Sequence, residues 1–285
     1  IQGFVEMVKT KVIMKAVGLL SCALCVVVGC SAGYSWSTIK VDAHRTGVKP
    51  ATADNTREAM GYVQDGTYYA PSGRVYSEGA TPELARILID AQPKMASLKQ
   101  VIAHAPKAMS SHYPQSELSN FAVDCIMEGV EELTGRKVDV GIMNFGGIRC
   151  DIPQGDVLLD DIMSMFPFKN YLVYVQVDGK QLRRIFEDMA SRKLQAVGGV
   201  EVVINGKTME SLKVGGEEVR DDKLYGIGSI DFLLNGGDKI HLGEGAVEVV
   251  RTGVLLRDCI LKKVYALSEA GLPLEYHLDN RVVIK

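Results

Sequence analysis

The sequence predicts an α+β domain with a mixed β-sheet flanked by helices, and three observations carry that expectation. Amphipathic helical runs and strand-like runs alternate without strict βαβ repetition. Residues 200–250 read as strand after strand, broken by the turn signals Asn205-Gly206, Gly215-Gly216 and Asn235-Gly236-Gly237. The composition, 47% hydrophobic and 24% charged over 285 residues, is that of a globular chain, and 29 Gly supply many tight turns. A formal charge of −3 leaves no basic footprint, so nucleic acid is excluded as a partner.

The N-terminus comes first in chain order. From Met14, one Lys is followed by apolar and small residues as far as Cys30. That run is shorter than the roughly 20 apolar residues a membrane span needs. It reads as a signal peptide over residues 1–29, with a short anchor or buried helix as the plainer alternative. Val27-Val28-Gly29-Cys30 resembles the lipobox of bacterial lipoproteins. That resemblance implies Cys30 as the lipidated N-terminus, attachment to the membrane through the lipid alone, and a place in the bacterial cell envelope on the periplasmic or outer-membrane side. Loss of residues 1–29, with three Lys and one Glu, takes the formal charge from −3 to −5. Beyond Cys30, Cys125, Cys150 and Cys259 remain, an odd number at wide spacing, and are read as small buried hydrophobes rather than a disulfide framework or zinc site.

Residues 30–80 are rich in Gly, Ser, Thr and Tyr with little periodicity, which predicts a tether with some local order and a short strand at 37–41. The domain proper is expected over 81–285. Thr81-Pro82-Glu83 starts a helix, with Thr81 as cap and Pro82 at the first position, continued by Leu84, Ile87, Leu88 and Ala91. Val101-Ile102-Ala103 is a brief strand. Ser116 opens a second helix with Leu118, Ala122, Cys125, Gly129 and Leu133 on one face, ended by Gly135. Residues 138–143 form a buried strand, 156–165 a short helix, 171–177 an alternating strand and 181–192 a helix with Leu182, Ile185, Phe186 and Met189 inward. A helix over about 255–270 and a strand over 282–285 close the chain.

Common chemical motifs are absent. Asn205-Gly206-Lys207-Thr208 imitates the end of a phosphate loop, but position 201 is Glu where that motif needs Gly, so it reads as a hairpin turn. The five His are scattered, and Asp42-x-His44 stands alone in the expected tether.

What remains is a constellation: Asn144-Phe145-Gly146-Gly147-Ile148-Arg149 at the end of a strand, Pro167-Phe168-Lys169-Asn170, and Phe232-Leu233-Leu234-Asn235-Gly236-Gly237-Asp238. Polar and Gly residues at a strand's end are where sheets of this kind place ligands. In this order the three segments resemble the C-terminal, substrate-binding domain of the 5′-nucleotidase and UDP-sugar hydrolase family, over residues 81–285. The resemblance implies that the nucleobase lies between Phe168 and Phe232, that Asp238 accepts from the ribose hydroxyls, that Asn144 contacts the base, and that Arg149 lies near ribose and phosphate. Each role suits its chemistry: base stacking on an aromatic ring is worth about 1–3 kcal/mol, a carboxylate suits a diol, and a guanidinium fork suits oxygen acceptors. Gly146, Gly147, Gly236 and Gly237 would let backbone approach the ligand. Taken singly, Phe168 and Phe232 also suit a core, Asp238 a turn and Arg149 the surface.

Two departures from the family pattern matter. Where members carry an Arg before the second helix, this chain has His112-Tyr113-Pro114. The family's N-terminal metallophosphatase domain, whose two divalent metals perform the hydrolysis, has no counterpart in the residues before Thr81. The sequence therefore implies no catalytic residue, metal or cofactor in this chain. The first expectation is the nucleotide-binding half of a split hydrolase, taking a nucleoside monophosphate or related substrate, with a separate metallophosphatase chain as partner. The alternative is a non-catalytic, lipid-anchored nucleoside-binding protein.

Overall fold

The computed structural model describes residues 51–285. The expected leader over 1–29, the lipidation at Cys30, the strand at 37–41 and the Asp42-x-His44 pair all lie outside the described residues.

A short helix, α1 (Thr56–Met60), leads into three antiparallel strands, β1 (Tyr62–Gln64), β2 (Thr67–Tyr69) and β3 (Val75–Tyr76). Tyrosines on adjacent strands hold this small sheet together. Tyr62 stacks on Tyr69 with ring centres 4.8 Å apart, and Tyr68 on Tyr76 at 5.9 Å, the cross-strand aromatic pairing that stabilises sheets lacking a deep core. Helix α2 (Thr81–Ala91) begins at Thr81 itself, with Ala80 rather than Thr81 in the cap position and no side-chain cap. Its Leu84, Ile87 and Leu88 are exposed.

The main sheet comprises five strands, β5 (Val140–Met143), β7 (Tyr171–Asp178), β8 (Ala196–Gly198), β12 (Leu224–Ile230) and β13 (Glu248–Leu255). They lie in the order β13-β7-β12-β5-β8. Only β12 and β5 run parallel; every other pair is antiparallel. The sheet is therefore mixed, as expected. Helix α3 (Glu117–Thr134) packs across it through Leu118, Phe121, Ala122, Cys125, Ile126 and Val130, all buried. Its ends are local chemistry. Ser116 and Ser119 exchange side-chain to backbone hydrogen bonds in a capping box, and Gly135 ends the helix in the left-handed region at φ +64.

A second, four-stranded sheet is built from β9 (Val200–Asn205), β10 (Thr208–Val214), β11 (Glu217–Glu218) and β14 (Val282–Ile284), in the order β11-β10-β9-β14. Thr208 pairs with Asn205 across a two-residue loop, so the phosphate-loop lookalike is a hairpin turn. Gly215 and Gly216, both with positive φ, turn the next hairpin.

Two further expectations are corrected. The sequence predicts one short helix over 156–165, yet 155–158 form strand β6 (Gly155–Leu158), paired with β4 (Val101–Ala105), and only then does helix α4 (Leu159–Met165) begin. The run Asp156-Val157-Leu158 suits either element, and β4, far away in sequence, selects the strand. Burial is also expected of all three cysteines. Cys125 is buried and Cys259 half-buried, but Cys150 is exposed because it follows Arg149 out of the sheet into a surface loop.

Helices α5 (Gly179–Arg192), α6 (Asp231–Leu234) and α7 (Leu256–Glu269) complete the described α-helices. Asp178 caps α5 by accepting from the Gln181 amide, and Leu182, Ile185, Phe186 and Met189 are all buried, as their spacing predicted. The C-terminal segment is pinned by Arg281, 7% exposed at its side chain, which donates to both carboxylate oxygens of Asp124 and to Asp279. Tyr276 donates to the same Asp124, at 2.7 Å.

Candidate functional site

Strand directions bring the three motifs together. β5 and β12 are parallel neighbours, so the segments that leave their C-terminal ends, beginning at Asn144 and at Asp231, emerge at one edge of the sheet. β7 is antiparallel to β12, with Leu172 opposite Ile230. The segment entering β7, which carries Phe168, therefore arrives at that same edge.

The residues then form a closed circuit of contacts. Asn144 is 5% exposed, and its Nδ2 donates to Asp238 Oδ2 at 2.8 Å. Gly237, beside Asp238, lies so close to Phe232 that a Cβ there would come within 2.4 Å of the ring and 2.5 Å of the Phe232 carbonyl oxygen. Asp231, beside Phe232, accepts from the Tyr171 amide at 3.0 Å, which ties the α6 segment to the entrance of β7. The guanidinium of Arg149 stands 5.8 Å from the centre of the Phe168 ring and donates to the Gly146 carbonyl at 3.3 Å. The Arg149 amide donates to the Met165 carbonyl, fixing its loop to the Phe168 segment. Gly146 returns the circuit to Asn144.

Every sequence-predicted residue of the pocket thus sits at one edge: Asn144, Gly146, Gly147, Arg149, Phe168, Phe232 and Asp238. Phe168 and Phe232 are 46% and 42% exposed, and among the described residues neither ring is stacked on another aromatic side chain. These two are not core residues; their neighbour Phe166 is, at 2% exposure.

The glycines serve internal packing more than ligand approach. A Cβ on Gly147 would meet Met143 Cε at 2.9 Å and Asn144 Oδ1 at 3.0 Å, and Gly236, at φ +94, is held against the His241 ring. At Gly146 alone of the four would a Cβ meet nothing closer than 3.5 Å. Asn144 Oδ1 is buried and has no hydrogen-bond partner, an acceptor that natural interiors rarely leave open.

Other residues at this edge escaped the sequence reading. Gln195, just before β8, accepts from the Phe145 amide at 3.0 Å and so holds the loop after β5. Beside it a cleft of about 410 Å³ opens between the Phe145-Gly146 backbone, the end of α5 and residues 238–240. Arg192 and Lys193 were legible only as the basic end of a helix, and Lys239 only as the neighbour of Asp238. Among the described residues no three His, Cys, Asp or Glu side chains stand together as a metal site. No described helix is long and apolar enough to cross a membrane.

Comparison with known proteins follows the same line. The chain is 27% identical over 153 residues to protein UshA of Yersinia enterocolitica, an alignment covering 52% of this chain and 28% of that protein. It is 29% identical over 130 residues to a 5′-nucleotidase of Vibrio vulnificus, covering 44% of this chain and 23% of the relative. Among solved structures, the 5′-nucleotidase precursor of Thermus thermophilus superposes with a TM-score of 0.63 at 23% identity, over 75% of this chain and 45% of its own. The Haemophilus influenzae NAD nucleotidase superposes with a TM-score of 0.55 at 17% identity, over 77% of this chain and 48% of its own. The chain thus spans under half of these solved proteins and about a quarter of the two curated ones. A family model described as the 5′-nucleotidase C-terminal domain matches residues 97–244, just over half of the chain and all three motif segments. The chain belongs to the 5′-nucleotidase C-terminal domain family.

Proposed function

We propose that this chain captures a nucleoside monophosphate or closely related phosphoester, stacking its base between Phe168 and Phe232 and holding its ribose hydroxyls on Asp238. The observation that carries the reading is the Asn144–Asp238 pair set in one circuit with two exposed Phe rings that are stacked on no other aromatic side chain. The pair uses one oxygen of Asp238, so the other can accept from a diol. Arg149, between Gly146 and Phe168, is placed to meet a ribose or phosphate oxygen.

The chain's part in hydrolysis is to bind and orient. The two divalent metals that the family resemblance implies find no fitting set of donors among the described residues; in this reading the bond-breaking step belongs to a separate metallophosphatase chain. A lipid on Cys30 would hold this chain at the bacterial envelope. A second reading is a non-catalytic, lipid-anchored nucleoside-binding protein, in which the same two rings and Asp238 would bind without a partner.

Calorimetric titration of adenosine and AMP into the protein, beside a Phe168→Ala, Phe232→Ala double variant, tests the pocket. The expected result is binding between roughly micromolar and millimolar that disappears in the variant. No heat with folded protein would overturn the assignment. Copurification of a metallophosphatase, with phosphate release only from the pair, separates the split enzyme from the binding protein.

A further inference from the structure

Helix α2 (Thr81–Ala91) carries more apolar surface than its own fold covers. It packs on β1 and β2, with Pro82 buried and Ala85 and Ile89 half-buried. Those three share one side of the helix by their spacing. Leu84, Ile87 and Leu88 form a second stripe at i, i+3 and i+4, and they are 57%, 51% and 55% exposed. A single exposed aliphatic is ordinary, but three on one helix face make a contiguous patch of the kind that marks an interaction surface. The residues just ahead of α1 do not supply a cover: over 42–50, Val48 is the one large aliphatic.

The charges around the stripe are self-complementary. Arg86 and Asp90 satisfy each other one turn apart on α2, at 3.8 Å. That leaves Glu83 at the start of the helix and Lys94 just past its end, in the 3-10 helix Gln92–Lys99. Gln92 keeps helical backbone angles, so the chain runs on from α2 to Lys94 without a break. Both side chains are exposed, and among the described residues neither is in an ion pair. Laid parallel on a second copy, α2 would set Glu83 against Glu83 and Lys94 against Lys94. Laid antiparallel about a twofold axis near Leu88, it sets stripe on stripe and brings Glu83 of each copy to Lys94 of the other. The antiparallel arrangement also opposes the two helix dipoles, and a twofold pairing is the commonest way for a chain to meet itself.

We propose that this face is a self-association surface: two copies of the chain pair α2 against α2, antiparallel, through Leu84, Ile87 and Leu88, with Glu83 of each copy meeting Lys94 of the other. The surface lies ahead of residues 97–244, which carry the family match, and it stands or falls apart from the nucleoside reading. Three aliphatic side chains a copy make a small interface beside the roughly 800 Å² per partner of a standard one, so the dimer forms at micromolar or higher concentration.

Sedimentation velocity on the full chain at low salt, from about 1 to about 500 μM, tests it. The expected result is a monomer that passes to a dimer as concentration rises. A Leu84→Ser, Ile87→Ser double variant should weaken the dimer about tenfold or more, and because both side chains are exposed its melting temperature should stay close to that of the unaltered protein. Glu83→Lys and Lys94→Glu should each weaken the dimer about fivefold, since each places like charges together at both ends of the pairing. Joined in one chain, or mixed as two separate chains, the same two substitutions should restore it, and the differences should shrink as salt is raised. A monomer at every concentration overturns the proposal, as does association that the double Ser variant leaves unchanged, which would come from another surface. Single charge substitutions without effect, or a combined variant weaker than either, overturn the antiparallel pairing on which it is built.

Discussion

Asn144 and Asp238, 94 residues apart in the chain, meet through a hydrogen bond of 2.8 Å from Nδ2 to Oδ2, and this one contact joins the loop after β5 to the loop after β12. Because Asn144 is buried and its Oδ1 is already without a partner, removing Asp238 would strand the whole amide. Asp238→Ala is expected to cost about 1–3 kcal/mol, a fall in melting temperature of roughly 2–10 °C for a domain of this size. Asp238→Asn keeps an acceptor and should retain most of that stability while weakening ribose recognition. Thermal melts beside the AMP titration separate the two effects; equal losses in both variants would contradict this division.

Phe166 and Phe168 make opposite predictions two residues apart. Phe166, 2% exposed, belongs to the core, so Phe166→Ala should cost about 3–5 kcal/mol. Phe168, 46% exposed, carries no core packing, and Phe168→Ala should stay within about 0.5 kcal/mol of wild type. Its effect belongs in ligand affinity. Denaturant unfolding of the two variants checks the contrast.

Gly237 governs Phe232 at close range. Ala at this position would press its Cβ into the Phe232 ring and into its carbonyl oxygen, and only the ring can yield. Gly237→Ala is expected to reduce nucleotide binding at least as much as Phe232→Ala does, about tenfold or more. A variant that binds AMP as wild type does would show that the ring's position is not set by this contact.

The C-terminal clamp predicts an acid limb of stability. Its hydrogen bond from Arg281 holds the Asp279 carboxyl below the ordinary carboxylate value, against the opposing effect of burial. A depressed folded-state value means that the stabilisation is complete above the unfolded value, near ~3.9, and is lost as the pH falls through the folded one. Melting temperature should therefore drop below about pH 4, and Asp279→Asn should flatten that limb. Arg281→Met, which leaves Asp124 without its bidentate partner, should cost of order 3 kcal/mol at neutral pH.

Thiol reactivity should follow exposure. Burial pushes the Cys259 thiol up to about 11 and that of Cys125 well above its ordinary value, so both are protonated and sheltered at neutral pH. Burial also raises Cys150, to a smaller degree, but its exposed sulfur is reachable. Peptide mapping after brief alkylation at pH 8 should find Cys150 modified well before Cys125 and Cys259. Simultaneous labelling of the three would place Cys150 differently.

The sequence by itself determined what short-range interactions decide. Ser116 and Gly135 bound α3 because capping joins residues three or four apart. The four inward residues of α5 were legible from helical periodicity, and the Gly215-Gly216 hairpin from the positive φ its turn requires. The three motif segments, in their order, were enough to single out residues that the fold brings to one edge of the sheet. Tertiary structure decided whatever depends on a distant partner. Residues 155–158 became a strand because β4 pairs with them. Phe166 turned inward and Phe168 outward although neither periodicity nor composition tells them apart. The Asn144–Asp238 bond, and the cleft that draws Lys193 from the end of α5 towards Lys239 from the turn after α6, exist only because parallel β5 and β12 end at one edge and α5 returns to it. Such contacts lie between elements, and a local pattern of residues carries no record of which elements will become neighbours.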